Sequence, residues 1–441
     1  MFSNRLLTFA SLVVLVSSTV CAAGPTPADA TVLTLEQALT IAQSANPTVL
    51  IGREAALQAA ATARLQQSNL WPQITWDNTQ RRSRSASVGG ALVRSGINNR
   101  FDSAVNGRLD LLDPQRLASY KAAKVAATAA EQNSLGIAEA AIATVAEVYF
   151  DHLRNLSRIE VLDSNTGRAR ALLELARRQA EAGVATQIDV TRAEALLVVA
   201  EQARLQQETV VQQSEFLLKQ LLALNMAAPL RLDTFQFARK EAPIFSAEQE
   251  QAALAHRPDL LAAETILRQN ELEVRAARFD RLPSLALNAS TGAASENVLD
   301  GNDTKVWSGT VSLSVPVFDG QRIRSQTSLA QSRLRQQQIR VDDLRRRIGA
   351  EVRLAVQDAN SSLAQIAVAE KNQRLSEDEL RLARLRYEQG VADNREIVDA
   401  QNRLAQSSDN LVAALHQYNL SRVELARVKG NVRSLLTERA P

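Results

Sequence analysis

The stretch "VPVFDGQR" (Val315–Arg322) indicates the architecture of the chain, because a similar stretch, "DLLDPQR" (Asp110–Arg116), occurs about half the chain length earlier. The matching aspartates, Asp113 and Asp319, are 206 residues apart. An aspartate can bind the free N–H groups at the start of a helix. Pro114 suits a first helical position, and Gly320 tolerates a bend. Both stretches therefore predict a joint where a strand ends and a helix begins.

Other short matches show that the whole chain is duplicated. They recur at offsets of 206–211 residues: Asn46-Pro47 with Arg257-Pro258, Leu70-Trp71-Pro72 with Arg281-Leu282-Pro283, and Ala182-Gly183-Val184-Ala185 with Gln389-Gly390-Val391-Ala392. The offset falls by five between Pro72 and Asp113, which predicts a loop insertion in the first copy. The sequence predicts one structural repeat at residues 31–228, a linker or equatorial region at 229–246, and a second repeat at 247–436.

Two long helices are predicted from the distribution of proline. The chain has no proline between Pro114 and Pro229, or between Pro316 and Pro441, and both intervals are rich in Ala, Leu, Arg, Gln and Glu. Such intervals predict helices at about 114–182 and 320–389, each a rod of roughly 100 Å. The glycines that follow, Gly183 and Gly390, predict the turns at their ends. In the second helix the apolar stripe repeats every eleven residues, which favours straight, side-by-side packing: Val341, Leu344, Ile348, Val352, Ala355, Ala359, Leu363 and Ile366.

Two β-hairpins are predicted before these helices, at about 73–112 and 284–318. Polar and mostly apolar residues alternate there; Trp307, Val311 and Leu313 share one face, and Ser312 lies on the other. The loops are expected at Ser85–Asn99 and Glu296–Lys305, which are rich in Gly, Ser and Asn. Strands of about ten residues fit a membrane barrel, but the same alternation fits a soluble amphipathic hairpin.

The beginning of the chain predicts export. Residues 1–23 have the positive start, short apolar run and small residues of a signal peptide. The single cysteine, Cys21, lies at the predicted processing site, and its lipidation is an open alternative. After this segment no apolar run is long enough for a membrane helix. A net charge of +3 and 4% aromatic residues argue against a nucleic-acid-binding surface.

Taken together, these residues resemble the TolC-like outer-membrane efflux proteins. The resemblance covers nearly the whole mature chain and depends on the order of several stretches: "LTLEQALTIAQSANPTVL" near the start, "RPDLLAAE" from Arg257, "RLPSLALNASTG" from Arg281, "VPVFDGQR", and "YEQGVADNREIVDAQNRLAQ" from Tyr387. It implies a mainly α fold with a small membrane β part. Three chains would form a twelve-stranded β-barrel that continues as a periplasmic α-barrel, without a cofactor.

The resemblance also implies a passive exit duct in the outer membrane, surrounded by its lipid. The duct would dock onto a periplasmic adaptor and an inner-membrane pump, of the RND type or, in type I secretion, the ABC type. The turns at Gly183 and Gly390 would be the periplasmic tips. The substrate is not indicated, because specificity resides mainly in the pump.

The positions after each tip glycine imply the constriction and gate residues. Glu396 and Asp399 match acidic constriction positions, and Asp189 and Tyr387 match gate positions. Two residues depart from the family pattern: Ala392 stands in place of an arginine, and Ile188 in place of a threonine. Arg386 or Arg395 is a candidate substitute for that arginine. On spacing alone, each carboxylate is more simply explained as a solvated surface charge, and its position after the tip glycine makes the constriction role an equally good explanation.

Two other protein classes fit the sequence less well. An enzyme is not indicated, because the three histidines (His152, His256 and His416) are scattered and no nucleophile or phosphate-binding motif is present. A periplasmic coiled-coil adaptor or scaffold without a pore would also have long helices and a signal peptide. Such a protein does not require two amphipathic hairpins, and the duplicated hairpins therefore favour the duct.

Overall fold

The computed structural model describes residues 31–89, 92–235, 237, 246–298, 304–389, 391 and 394–438. The predicted signal peptide with Cys21 lies outside these residues. Gly390 and Ala392 also lie outside them.

The two halves of the chain have the same order of elements. The first half contains β1 (Thr31–Leu33), α1 (Leu35–Ala45), α2 (Pro47–Ser68), β2 (Gln73–Gly89), β3 (Leu92–Leu112), α3 (Pro114–Glu181) and α4 (Gln187–Leu221). After β4 (Leu230–Leu232), the second half contains α5 (Ala247–His256), α6 (Pro258–Phe279), β5 (Ser284–Ser295), β6 (Thr304–Ser314), α7 (Arg322–Glu388) and α8 (Asn394–Val428). A 3₁₀ helix follows at Val432–Glu438.

Corresponding helices have nearly equal lengths. Helices α2 and α6 both have 22 residues, α3 and α7 have 68 and 67, and α4 and α8 both have 35. The predicted fold class, long helices with a small β part, is confirmed. Among the described residues, no helix combines the length and the apolar character that crossing a bilayer requires.

The four long strands form one antiparallel sheet in the order β2-β3-β5-β6. Directly paired residues point to the same side of a sheet. The register therefore gives the sheet an apolar face, which includes Ile74, Trp76, Val105, Leu287 and Val311, together with Leu109, Leu285, Trp307 and Leu313. Its opposite, polar face carries a Ser290–Ser308 hydrogen bond of 2.8 Å and an Asn106–Asp77 hydrogen bond of 2.8 Å.

The helices continue the sheet as a wall with the same lateral order. Next to the sheet, α3 packs against α2 on one side and α6 on the other, and α6 packs against α7. Farther from the sheet, α3 packs against α4 and α8, and α8 packs against α7. The wall is therefore α2-α3-α6-α7 near the sheet and α4-α3-α8-α7 far from it. Three levels of the protein share one pair of open edges: β2, α2 and α4 on one side, and β6 and α7 on the other.

The largest apolar core lies near the middle of the long helices. Tyr149 and Phe150 of α3 are fully buried there, against Phe235, Phe237 and the parallel pair β1–β4. The Tyr149 hydroxyl donates to the backbone oxygen of Asp233 at 2.7 Å. A second core surrounds Ile348 and Val352 of the predicted α7 stripe, and a third lies at the far end of the wall.

The first joint has the predicted form, whereas the second begins its helix later. Asp113 precedes α3, and its carboxylate accepts a hydrogen bond from Arg116 N at 2.9 Å, with Pro114 at the first helical position. The second helix begins at Arg322 rather than at residue 320, because Gly320 and Gln321 both have positive φ values of 63° and 70°. Asp319 still accepts hydrogen bonds from Gln321 N and Ile323 N, at 3.1 and 2.8 Å.

Two strand boundaries also differ from the sequence prediction. Ser85–Asn99 is mostly not a loop, because the ladder between β2 and β3 continues to the pair Gly89–Leu92. The Gly- and Ser-rich segment therefore lengthens the first hairpin beyond the second. Strand β6 ends at Ser314, and the chain from Val315 to Gln321 is irregular.

Candidate gate at the helix tips

Helix α3 ends at the tip of the first helical hairpin, formed by α3 and α4. Gly183 has a φ of 71°, as the sequence predicts. Val184 N donates to the Gln179 oxygen at 2.9 Å, and Gly183 N donates to the Ala180 oxygen at 3.0 Å. These two bonds are a Schellman motif, which satisfies the last carbonyl groups of a helix and needs a left-handed residue.

Asp189 acts in the capping of α4. Its Oδ2 accepts hydrogen bonds from the backbone N and the hydroxyl of Thr186, at 3.0 and 2.6 Å. Its Oδ1 lies 3.7 Å from Arg192 Nη1, and the side chain is only 16% exposed. The predicted gate carboxylate is therefore held by its own helix end, where a negative charge also complements the helix dipole.

The second helical hairpin, formed by α7 and α8, has a comparable end. Val391 N donates to the Arg386 oxygen at 2.9 Å, which corresponds to the bond from Val184 to Gln179. The predicted tip glycine Gly390 and the departure at Ala392 lie outside the described residues. Helix α8 begins just beyond them, at Asn394.

Tyr387 and Asn394 lie in a buried junction between the two helical hairpins. Asn394 is 1% exposed, and its Nδ2 donates to the backbone oxygen of Asp189 at 2.8 Å. Tyr387 is 5% exposed, and its hydroxyl has no hydrogen-bond partner among the described residues. Burial, and secondarily the charge of Asp189, raise the pKa of the Tyr387 phenol. Tyr387 also belongs to an apolar cluster that joins all four helices near the tips.

The two predicted constriction carboxylates are each close to an arginine. Glu396 Oε1 accepts a hydrogen bond from Arg386 Nη1 at 3.0 Å. Asp399 Oδ2 lies 3.9 Å from Arg395 Nε, and the side chain of Asp399 is half exposed. Both carboxylates lie in the first two turns of α8, three residues apart, and therefore on one side of the helix. In a single protomer these carboxylates are paired surface charges.

The structure thus brings Asp189, Tyr387 and Glu396 to one end of the wall. The joint residues Asp113, Pro114, Asp319 and Gly320 lie at the opposite ends of α3 and α7, next to the sheet. The described part of the chain contains no group of three or more His, Cys, Asp or Glu side chains suited to hold a metal ion. The contacts between the helical hairpins at the tips are a hydrogen bond from Asn394 and apolar packing.

Sequence reasoning missed Asn394. The residue forms a direct side-chain bond between the helical hairpins at their tips, but its sequence position identifies it only as the start of a helix. Ile188, which departs from the family pattern, is 57% exposed in the protomer. The sequence shows only that an asparagine starts a helix close to the tip glycine. That pattern does not predict a contact with a residue 205 positions away.

Comparisons with known proteins agree with this architecture. The profile of the family described as "Outer membrane efflux protein" matches residues 38–224 and 250–431. The probable efflux pump outer membrane protein TtgC of Pseudomonas putida is 25% identical over 392 residues, which cover 84% of this chain and 77% of that protein. The alkaline protease secretion protein AprF of Pseudomonas aeruginosa is 26% identical over 72% of this chain and 67% of its own length. The crystal structure of the Campylobacter jejuni CmeC outer membrane channel superposes with a TM-score of 0.80, at 18% identity, covering 90% of this chain and 85% of that one.

Proposed function

This chain belongs to the outer membrane efflux protein family, and we propose that three copies of it form one continuous exit duct. The four strands of each chain would give a closed barrel of twelve strands in the outer membrane. The helical walls would close below it as a periplasmic α-barrel. Closure leaves no free sheet edge, which a sheet in a membrane cannot tolerate.

The observation that carries this proposal is that the sheet and both levels of the helical wall have their unpaired edges on the same two sides of the protomer. Strand β2 and helices α2 and α4 lie at one edge of the protomer, and β6 and α7 at the other. A single rotation between copies would therefore pair β6 with β2 of the next copy and pack α7 against α2 and α4 of that copy. Such head-to-tail contacts close into a ring.

Exposed apolar side chains on both edge helices support this closure. On α7, Leu354, Val368, Leu375 and Leu382 are all more than half exposed and recur at multiples of seven residues. On α4, the corresponding exposed residues are Val198, Val199, Leu205 and Phe216. A protein that remained a monomer would expose these apolar surfaces to the aqueous periplasm at a cost of about 25 cal/mol per Å².

We propose the following organisation of the duct from its parts. The repeats at 31–228 and 247–436, joined by 229–246, each supply half of a protomer's wall. The turns at Gly183 and Gly390 lie at the periplasmic tips, where an adaptor protein and, through it, an inner-membrane transporter of the RND or ABC type would engage. Asp189, Tyr387, Glu396 and Asp399 form the gate, and docking would open it by separating the helical hairpins.

Disulfide cross-linking tests the ring directly. Val199 lies 12 residues from the start of α4, and Leu375 lies 13 residues from the end of α7, so the two positions have nearly equal height. The double variant Val199→Cys with Leu375→Cys is expected to give a covalent trimer on mild oxidation. The background is clean, because Cys21 is the only cysteine in the sequence and lies in the predicted signal peptide.

The matched control moves one cysteine along the same helix. Leu354 lies 34 residues from the end of α7, which places it roughly 33 Å above Val199 in height. Val199→Cys with Leu354→Cys should therefore not cross-link between chains. A product that stops at the dimer, or equal cross-linking of both pairs, would contradict the ring.

The role as a duct is tested in cells that lack the protein's gene. Restored export should require the wild-type chain, and cross-linking in these cells should capture an adaptor through positions near Gly183. Recovery of the chain from the soluble periplasm would instead support the alternative of a scaffold without a pore.

A further inference from the structure

The apolar face of the sheet changes its chemistry in a regular order along both edge strands. From the helix end outward, β2 presents Ile74, Trp76, Asn78 and Gln80, followed by Arg82 and Arg84. On β6 the same face presents Leu313, Val311, Gly309, Trp307 and then Lys305. Each edge strand therefore passes from aliphatic residues to tryptophan and then to cations.

The two tryptophans lie in one row across the sheet. Trp76 pairs with Val105, Val105 pairs with Thr291, and Thr291 pairs with Trp307. Both indole side chains are exposed in the protomer, Trp76 by 70% and Trp307 by 82%. Tryptophan rows mark the boundary between hydrocarbon and headgroups on membrane barrels. The cations beyond the row therefore lie at headgroup level.

We propose that Arg82 and Arg84 of one protomer, together with Lys305 of its neighbour, bind the phosphate groups of glycolipid headgroups in the outer leaflet. Because β2 and β6 are the two open edges of the sheet, closure of the ring places the strand of Lys305 beside the strand of Arg82 and Arg84 at each seam between protomers. The inference rests on the proposed function, since the neighbour contributes Lys305.

Charge complementarity selects an anionic partner. Between Asp77 and Asp102 the sequence has five arginines and no acidic residue. Arg82 and Lys305 are exposed and make no ion pair within the described part of the chain. Guanidinium groups bind phosphate oxygens through paired N–H donors, and ammonium groups bind them as point charges.

The distance of the arginines from the tryptophan row places them near the lipid headgroups. Arg82 is six residues beyond Trp76, which is about 20 Å along a strand and roughly 15 Å along the membrane normal for a tilted barrel strand. Long cationic side chains extend several ångströms toward the interface. Arginine side chains that extend from this height toward the membrane can therefore reach phosphate groups within the headgroup layer.

The polar face of the hairpin formed by β2 and β3 offers a matched control. Arg81 and Arg100 are paired directly across β2 and β3, and both lie on the polar face, away from lipid. Arg100 Nε also contacts Asp102 Oδ2 at 2.8 Å. Replacing Arg81 and Arg100 removes two positive charges from the hairpin of β2 and β3, as does replacing Arg82 and Arg84.

The experiment compares three purified full-length proteins: wild type, Arg82→Gln with Arg84→Gln, and Arg81→Gln with Arg100→Gln. Their binding to vesicles that contain lipopolysaccharide is measured, and again after enzymatic removal of the phosphates from the lipopolysaccharide. Trimer content is checked in each sample by mild-detergent electrophoresis.

We expect the Arg82/Arg84 variant to bind phosphorylated vesicles at least about tenfold more weakly than wild type, with the polar-face variant within about twofold of wild type. The difference should vanish on dephosphorylated vesicles, and Lys305→Gln should add a smaller loss. Equal losses in both double variants, or wild-type trimers that do not distinguish the two vesicles, would overturn the inference and leave the duct intact. A wild-type chain that forms no trimer would instead overturn the proposed function, and the shared site with it.

Discussion

The two repeats have nearly the same helices but different ends. Their long helices differ by one residue, 68 against 67, whereas β2 and β3 are longer than β5 and β6. Long helices that pack side by side in one wall must have equal length if they are to end at the same level on both sides. Strands and turns at the ends are free of that requirement, and there the two copies have diverged.

The start of the second helix in each repeat shows the same divergence in chemistry. Asn46 is buried before α2, accepts a bond from Thr48 N at 2.8 Å and donates to the Leu221 oxygen at 2.8 Å. Its counterpart, Arg257, is buried before α6 and is ion-paired with Asp259 and with Glu351 of α7. A neutral amide thus holds one repeat together where a charged network holds the other.

The largest effect should come from charging the apolar face that both repeats share. Val311→Arg or Leu313→Arg is expected to cost about 2–4 kcal/mol per protomer near the membrane midplane, whereas Ser312→Arg on the polar face should still assemble. The measurement is the yield of trimer in the outer membrane. Equal tolerance at the three positions would remove the assignment of the apolar face to lipid.

The second effect distinguishes the amide from the charged network. Arg257→Ala leaves Asp259 without its ion pair and leaves Glu351 only the more distant Arg427, at 4.0 Å. We expect a loss of about 2 kcal/mol, reduced from the fully buried range because Asp259 is partly exposed. Asn46→Ala removes a cap and should cost about 1 kcal/mol. Urea unfolding followed by circular dichroism measures both, and the reverse ranking would show that the network contributes little.

The charged network should also make stability depend on pH. Burial alone would raise the pKa of Asp259, but the hydrogen bonds and charge of Arg257 lower it below its ordinary value of 3.8. The stabilisation is therefore present above that ordinary value and is lost as the pH falls through the lower folded pKa. Unfolding midpoints measured between pH 5 and about pH 2 should drop less steeply for Arg257→Ala than for wild type, and parallel curves would contradict this.

A smaller effect on the free energy of unfolding should distinguish glycine-to-alanine substitutions at the tip and in the interior of α3. Gly183→Ala places a side chain at a positive φ and should cost about 1 kcal/mol. Gly167 lies within α3 with open space around it, so Gly167→Ala should instead stabilise by about 0.5–1 kcal/mol. Opposite signs in the unfolding midpoints are expected, and a stabilising Gly183→Ala would show that the turn does not need this geometry.

The smallest effect concerns ion selectivity at the second tip. Arg386→Gln frees Glu396 from a bond of 3.0 Å, which should increase the cation preference of single channels in planar bilayers. Arg395→Gln should change it less, because Arg395 and Asp399 are 3.9 Å apart and exposed. Glu396→Ala with Asp399→Ala should lower the cation preference, and unchanged selectivity in all three variants would leave these carboxylates as ordinary surface charges.

Features that depend on neighbouring residues could be predicted from the sequence. The proline-free intervals predicted both long helices, and Asp113-Pro114 located the first joint, because capping and helix propensity act over a few residues. Gly183 predicted its own left-handed turn for the same reason. The second joint was misplaced by two residues, since glycine allows both signs of φ and the sequence does not state which is used.

Features that depend on residues far apart in the chain could not be predicted in this way and became visible in the folded protein. The ladder through Ser85–Asn99 is made of hydrogen bonds between two strands, and composition alone indicated a loop there. Asn394 meets the backbone of Asp189 only because α3 and α8 pack side by side and bring the starts of α4 and α8 together. The common open edges of sheet and helices likewise arise from the order of packing, because contacts between distant segments are set by the fold as a whole and not by local preference.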